Sequence, residues 1–161
     1  MSPLIVDVPW DDPRAIDLRD RLDAEMVDRY ALNQIEEDPE ITAERSRVLA
    51  LHGDSVVATV LALDENGDAV GHAALRTRDD ALEIKKVIVD PAARGKGVAK
   101  AIMAAIEERA RRHGGRRVIL QTGHAQPEAI SLYEKLGYTP IPVYEPYRRT
   151  MPNSLCYEKS L

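Results

Sequence analysis

The 161-residue chain contains no phenylalanine, one tryptophan and six tyrosines. A surface that stacks bases needs more aromatic side chains, and a net charge of −5 does not favour phosphate backbones. Nucleic acid is therefore not an expected partner. The single cysteine, Cys156, permits no internal disulfide, and with four scattered histidines it offers no zinc-ligand cluster. No metal site is expected. No apolar run is long enough to cross a bilayer, and Met1-Ser2-Pro3-Leu4 lacks the basic and apolar stretches of an export signal. These absences predict a cytoplasmic protein with no membrane partner.

What is present fits one domain over residues 1–161, with 44% hydrophobic residues for a core and an ordinary 30% charge. The charge is unevenly placed. Residues 1–40 carry 12 acidic and 4 basic side chains, whereas residues 41–161 carry 15 and 18. The basic excess gathers between Arg94 and Arg117. Such asymmetry suits an anionic ligand at one end and a cationic one at the other.

Leu4–Val8 reads as a first strand ended by Pro9, and Asp12-Pro13 opens a helix with Leu18, Leu22, Met26 and Tyr30 on one stripe. Asp38-Pro39 breaks that helical region, and Ile41–Leu51 is ambiguous. Val56–Leu63 and Ala69–Thr77 flank Asn66-Gly67, a hairpin signature; Leu82–Val89 follows the Asp79-Asp80 turn. Val98, Ile102, Ile106 and Ala110 mark a helix ending near Gly114. Arg117–Thr122 reads as a strand and Pro127–Leu136 as a helix closed by Gly137. Tyr138–Tyr144 and Ser154–Glu158 read as final strands around a proline-punctuated loop. The order predicts an α/β (α+β) domain: one mixed, mostly antiparallel sheet of six to seven strands flanked by about four helices.

The segment from Val87 to Ala99 is the most informative. A strand delivers the chain to Arg94-Gly95-Lys96-Gly97, and a helix starts there. Glycines let backbone amides approach a ligand, and the helix N-terminus adds free N–H donors and partial positive charge. The combination is a pyrophosphate cradle, with Arg94, Lys96 and Lys100 adding charge. A P-loop is excluded because no Gly-x-x-x-x-Gly-Lys-Ser/Thr occurs. A Rossmann loop would need glycine where Lys100 stands.

Arg94-Gly95-Lys96-Gly97-Val98-Ala99, preceded by Val89-x-Pro91, resembles the Arg/Gln-x-x-Gly-x-Gly/Ala signature of GNAT acetyltransferases. Gln126 to Tyr138 resembles that family's Asn-x-x-Ala-x-x-x-Tyr-x-x-x-Gly-Phe block, with Gln126 in place of Asn and Tyr138 in place of Phe. The resemblance implies a sheet splayed between its fourth and fifth strands, and acetyl-CoA as co-substrate. It implies that backbone groups of Val87, Ile88 and Val89 pair with the pantetheine arm. The amides of Arg94, Gly95, Lys96, Gly97, Val98 and Ala99 would hold the pyrophosphate. Gln126 would contact the cofactor, and Tyr133 would protonate the departing thiolate.

The implied reaction is direct acetyl transfer to a primary amine, with a small cationic molecule as the expected acceptor. In that family the first two helices wall the acceptor side, so the resemblance implies that Asp20, Asp23, Glu36, Glu37 and Asp38 draw such a cation in. Glu83 stands where histone-type members carry their catalytic glutamate. By strand alternation it is expected to share a face with Val87 and Val89; its other role is a paired structural carboxylate. Gln121 occupies the place of the glutamate of ribosomal-protein acetyltransferases and cannot act as a base. His72 and His124 are weaker candidates. Cys156 lies outside both blocks and is not expected to act as a nucleophile. Three alternatives stay open: a non-catalytic acyl-CoA sensor, a protein-lysine acetyltransferase, and an interaction protein without cofactor. A homodimer is common in the family and not required by anything here.

Overall fold

The computed structural model describes residues 2–31 and 38–161. The hairpin signature folds as expected, β2 (Val56–Leu63) turning through Gly67 into β3 (Ala69–Arg78) and on to β4 (Ala81–Val89). β1 (Leu4–Asp7) adds to the free edge of β2. β5 (Arg117–Thr122), β6 (Thr139–Ile141) and β7 (Leu155–Ser160) complete a seven-stranded sheet in the order β1-β2-β3-β4-β5-β7-β6. Every neighbouring pair is antiparallel except β4 and β5. That parallel pair is joined by the crossover helix α3 (Val98–Arg112), as parallel pairing demands.

Helix starts follow local chemistry. Asp12 caps α1 (Pro13–Tyr30) by accepting from the Arg14 amide, and Pro13 needs no donor at that position. The ambiguous stretch after Asp38 is a helix, α2 (Pro39–Leu49), because Asp38-Pro39 repeats the same cap-and-proline start; it opens a helix rather than merely breaking one. α4 (Pro127–Lys135) follows β5. A four-residue turn, α5 (Tyr147–Thr150), occupies the loop before β7 that the sequence marked only by its prolines.

Two layers cover the sheet. Val98, Ile102, Met103, Ile106 and Ala110 of α3 pack on Val60, Ala62, Ala73, Leu75, Leu82 and Ile84, the main core. Each fully buried aliphatic side chain there contributes about 1.5–3 kcal/mol. On the opposite face Ala15 and Leu18 of α1 cover Leu61 and Ile88. α3 sits so close that a Cβ on Gly71 would lie 2.3 Å from Ile102 Cδ1.

One irregularity in β4 changes the reading of its faces. His72 pairs with Ile88 and Ala74 with Lys85, so Lys86 and Val87 together oppose Ala73. Lys86 takes φ +55° at this β-bulge. Leu82 and Ile84 therefore share the α3 face with Val87 and Val89, while Glu83, Lys85 and Ile88 face the α1 side. The expectation that Glu83 shares a face with Val87 and Val89 is corrected: one extra residue inverts the alternation.

Candidate functional site

β4 and β5 pair only at Leu82–Val118 and Glu83–Ile119. Beyond those residues they part, and Val87, Ile88 and Val89 keep β3 on one side with no strand on the other. A slot opens here, bordered by unpaired backbone groups that an extended ligand can pair with. At its open end the chain passes Asp90, which caps the short turn Pro91–Ala93, and enters the glycine loop. Gly95 (φ +77°) and Gly97 (φ +79°) are left-handed, and a Cβ on either would meet nothing within 4 Å. No side chain caps α3, and the first bond into it runs from Ala101 N–H to Gly97 C=O. The amides of Val98, Ala99 and Lys100 are thus left as free donors at the positive end of the helix.

The charged side chains of this loop differ in availability. Lys96 and Lys100 are exposed and, among the described residues, form no ion pair. Arg94 instead folds back, donating to Val89 O (3.2 Å) and to both Glu25 oxygens (3.1 Å each). Burial pushes the Glu25 carboxyl up, but Arg94 and Arg29 outweigh it and hold the group below its ordinary range. Arg29 also reaches Glu128 and Ala125 O. The C-terminal half of α1 thereby ties to both walls of the slot.

Across the slot, Gln126 is the residue before α4, and its side chain lies 3.5 Å from the Tyr30 hydroxyl rather than capping the helix. Tyr30 covers Gly123, leaving no room there for a side chain, and packs edge-on against His124. Tyr133 is buried in the main core, its ring against Tyr138 and Tyr157. Burial raises its phenol well above the ordinary value. The hydroxyl therefore keeps its proton at neutral pH.

Glu83 stands where β4 and β5 part, with no exposed surface. Arg76 Nε (2.6 Å) and Arg78 Nε (3.1 Å) donate to one oxygen, and the Tyr144 (2.5 Å) and Tyr147 (3.1 Å) hydroxyls to the other. Lys85 Nζ donates to the Tyr147 hydroxyl at 2.8 Å, and burial lowers its pKa. Burial and the Glu83 charge raise both tyrosines, which keeps them as donors. Sequence reading missed Arg76, Arg78, Tyr144 and Tyr147. Arg76 had a signal, a charge on the predicted strand Ala69–Thr77 beside that of Glu83; Arg78 lay just past that strand, and the tyrosines, sixty residues away, had none.

The remaining candidates occupy the following positions. Arg19 can only donate, so its 3.0 Å contact makes His72 Nε2 an acceptor and leaves the proton on Nδ1, 2.7 Å from Lys86 O. Burial pushes His72 down to about 4. Cys156 is buried and its thiol raised by desolvation, so it is not a thiolate. Gln121 donates to Ser154. Of the acidic residues expected to attract a cation, Asp23 reaches Lys86 (3.3 Å), Asp38 caps α2, and Asp20 is exposed. Glu36 and Glu37 lie outside the described residues. Among the described residues no cluster of metal-ligating side chains occurs, and no helix is long and apolar enough to cross a membrane.

Comparison with known proteins gives a concordant result. The model of the acetyltransferase (GNAT) family matches residues 13–138. An IAA acetyltransferase of Azospirillum brasilense is 35% identical over 91 residues, 56% of this chain and 59% of that protein. The chain spans about half the length of the curated relatives it matches. A Klebsiella pneumoniae structure assigned as an acyl-CoA N-acyltransferase superposes with TM-score 0.78 at 28% identity, covering 99% of this chain and 97% of the other. The PaiA N-acetyltransferase of Thermoplasma acidophilum, solved with coenzyme A, shares the fold at 15% identity, with TM-score 0.68 over the full length of both chains.

Proposed function

Because this chain belongs to the acetyltransferase (GNAT) family, we propose that it moves an acetyl group from acetyl-CoA to the nitrogen of a primary amine. The observation that carries the reading is the uncapped start of α3 behind two left-handed glycines, placed at the mouth of the β4–β5 slot. Free amides, a helix N-terminus and exposed Lys96 and Lys100 suit a pyrophosphate, and an unpaired strand edge suits an amide-bearing arm. The fold shared with a coenzyme A complex supports the same occupant.

Acetyl-CoA, when bound, supplies an acetyl group activated as a thioester. The chain's own residues hold and protect. The amides of the loop after Arg94, through Ala99, bind the phosphates, the Arg94 amide itself donating to Pro91 O, and backbone groups of Val87, Ile88 and Val89 align the arm. Gln126, on the opposite wall, closes over it. The neutral amine nitrogen bonds to the acetyl carbon, the carbon–sulfur bond breaks, Tyr133 donates its proton to the sulfur, and the proton shed by the acetylated nitrogen restores the phenol. A protonated amine must first lose a proton, so each turnover releases one overall. We assign Glu83 the holding role rather than that of base, because four protein donors already occupy its two oxygens. Water then takes the amine's proton. The acceptor is a small molecule whose amine is a cation in solution.

Gly97→Glu tests the carrying observation. A left-handed non-glycine costs about 1–2 kcal/mol, so the variant stays folded, while its carboxylate repels the pyrophosphate. Calorimetry is expected to show no acetyl-CoA binding in a variant with unchanged circular dichroism. Wild-type affinity would refute the assignment.

A further inference from the structure

We propose that the acceptor amine also carries a carboxylate, and that Arg76, with Arg78 and Lys85 beside it, binds that group on the α1 face of β3 and β4. The inference rests on the acetyl-transfer reading and names the substrate class of the same site.

Two buried side-chain polar atoms lack a hydrogen-bond partner among the described residues, Thr59 Oγ1 and Arg76 Nη2. Register puts both on one face: Thr59 opposes Ala74, and Arg76 lies two residues further along β3. An unsatisfied donor is costly when buried, and more so on a charged group. The guanidinium directs Nε to Glu83 and leaves Nη2 unused.

Charge points the same way. Three cations, Arg76, Arg78 and Lys85, surround the single carboxylate of Glu83, with Lys85 connected through Tyr147. Further along the same face Arg19 is 8% exposed and contacts His72 and Trp10, not a carboxylate. Among the described residues Lys86 pairs with one carboxylate, Asp23, which is largely in solvent. Buried cations in excess of anions are unfavourable unless an anion joins them. A carboxylate would give Arg76 Nη2 its acceptor, in the geometry a guanidinium binds best. Its negative charge would also act against the desolvation that lowers the Lys85 pKa, as the Glu83 charge already does.

Position completes the argument. Val89 lies at the phosphate end of the slot, and Glu83 at its closed end. A cofactor arm running along β4 from the glycine loop brings its reactive end towards the Glu83 cluster. An amine poised there has Arg76 and Arg78 within the same cluster. A purely cationic acceptor would meet three like charges instead.

The test is turnover of the whole protein on matched pairs, α-, β- and γ-amino acids against their carboxamides, with acetyl-CoA saturating. The acids are expected to exceed the amides by about 10²-fold in kcat/KM, the scale of a lost buried charge contact. Arg76→Gln should abolish that ratio, whereas a merely structural role would lower acids and amides alike. A second arm needs no catalysis or variant: N-acetyl amino acids should raise the wild-type melting temperature and their amides should not. Amides accepted as well as acids would overturn the carboxylate site and leave acetyl transfer standing. If no amine of either kind is acetylated, the acetyl-transfer reading falls, and the melting shifts alone decide whether the face binds carboxylates. Equal shifts with acids and amides would refute it.

Discussion

A phenol can hand its proton to a departing thiolate only if it still holds one, and burial ensures this for Tyr133. The same burial makes the hydroxyl a weak acid, so in the proposed role its contribution would come from position rather than from acidity. Its ring packs on Tyr138 and Tyr157, which fixes the direction of the hydroxyl without a hydrogen bond to it among the described residues. Tyr133→Phe keeps that packing. Turnover is expected to fall by about 10²-fold with acetyl-CoA affinity nearly unchanged, because the lost contact forms as the sulfur leaves. Stopped-flow or steady-state rates beside calorimetry will separate the two quantities. An unchanged kcat would reduce Tyr133 to a packing residue.

At the scale of elements, β4 organises the site. Its first residues pair on both sides, the bulge at Lys86–Val87 re-aims the chain, and its last residues are left open towards β5. α3 holds that strand in place through the close contact at Gly71, which lets Ile102 and Val98 reach the sheet. Gly71→Val would drive a branched side chain into Ile102 and push α3, with the glycine loop at its start, away from β4. Overpacking of this kind costs about 1–3 kcal/mol. The urea midpoint is expected to fall with an unchanged slope, and acetyl-CoA affinity to fall with it. A variant as stable as wild type would mean that α3 shifts freely, and that the glycine loop is not anchored by this contact.

At the scale of the molecule, the acidic N-terminal segment is joined to the basic remainder by ion pairs: Asp7–Arg109, Asp23–Lys86 and Glu25–Arg94, with Arg21–Asp90 in the opposite sense. Most of these are exposed and individually worth little. The buried His72 matters more to the stability of the whole. Its folded pKa, about 4, lies below the ordinary 6.5, so the unfolded chain takes up the proton first as pH falls. The stabilisation is complete above about pH 6.5 and is lost progressively towards pH 4. The total is on the order of 3 kcal/mol. Denaturant titrations between pH 7 and 5, above the range where most carboxylates titrate, are expected to show this slope. His72→Gln retains an acceptor for Arg19 but does not titrate, so its slope in that window should be flatter, whatever its absolute stability. A wild-type stability that is level from pH 7 to 5 would contradict the buried neutral histidine.

The sequence by itself determined most of the elements and the position of the glycine loop, but not helix α2 or the turn α5. Period-two and helical apolar patterns, Asn66-Gly67, the Asp-Pro helix starts and the glycine loop are local features, and each acts through backbone preferences or caps within a few residues. The loop and the Tyr133 block were legible for the same reason. Only the tertiary structure decided which way Glu83 faces, since one bulged residue inverts a strand's alternation and leaves no unambiguous mark in composition. It alone brought Arg76, Arg78, Tyr144 and Tyr147 onto that carboxylate, and folded Arg94 onto Glu25. Those contacts span 5 to 69 residues of sequence, and side chains so far apart meet only where strand register and helix packing carry them.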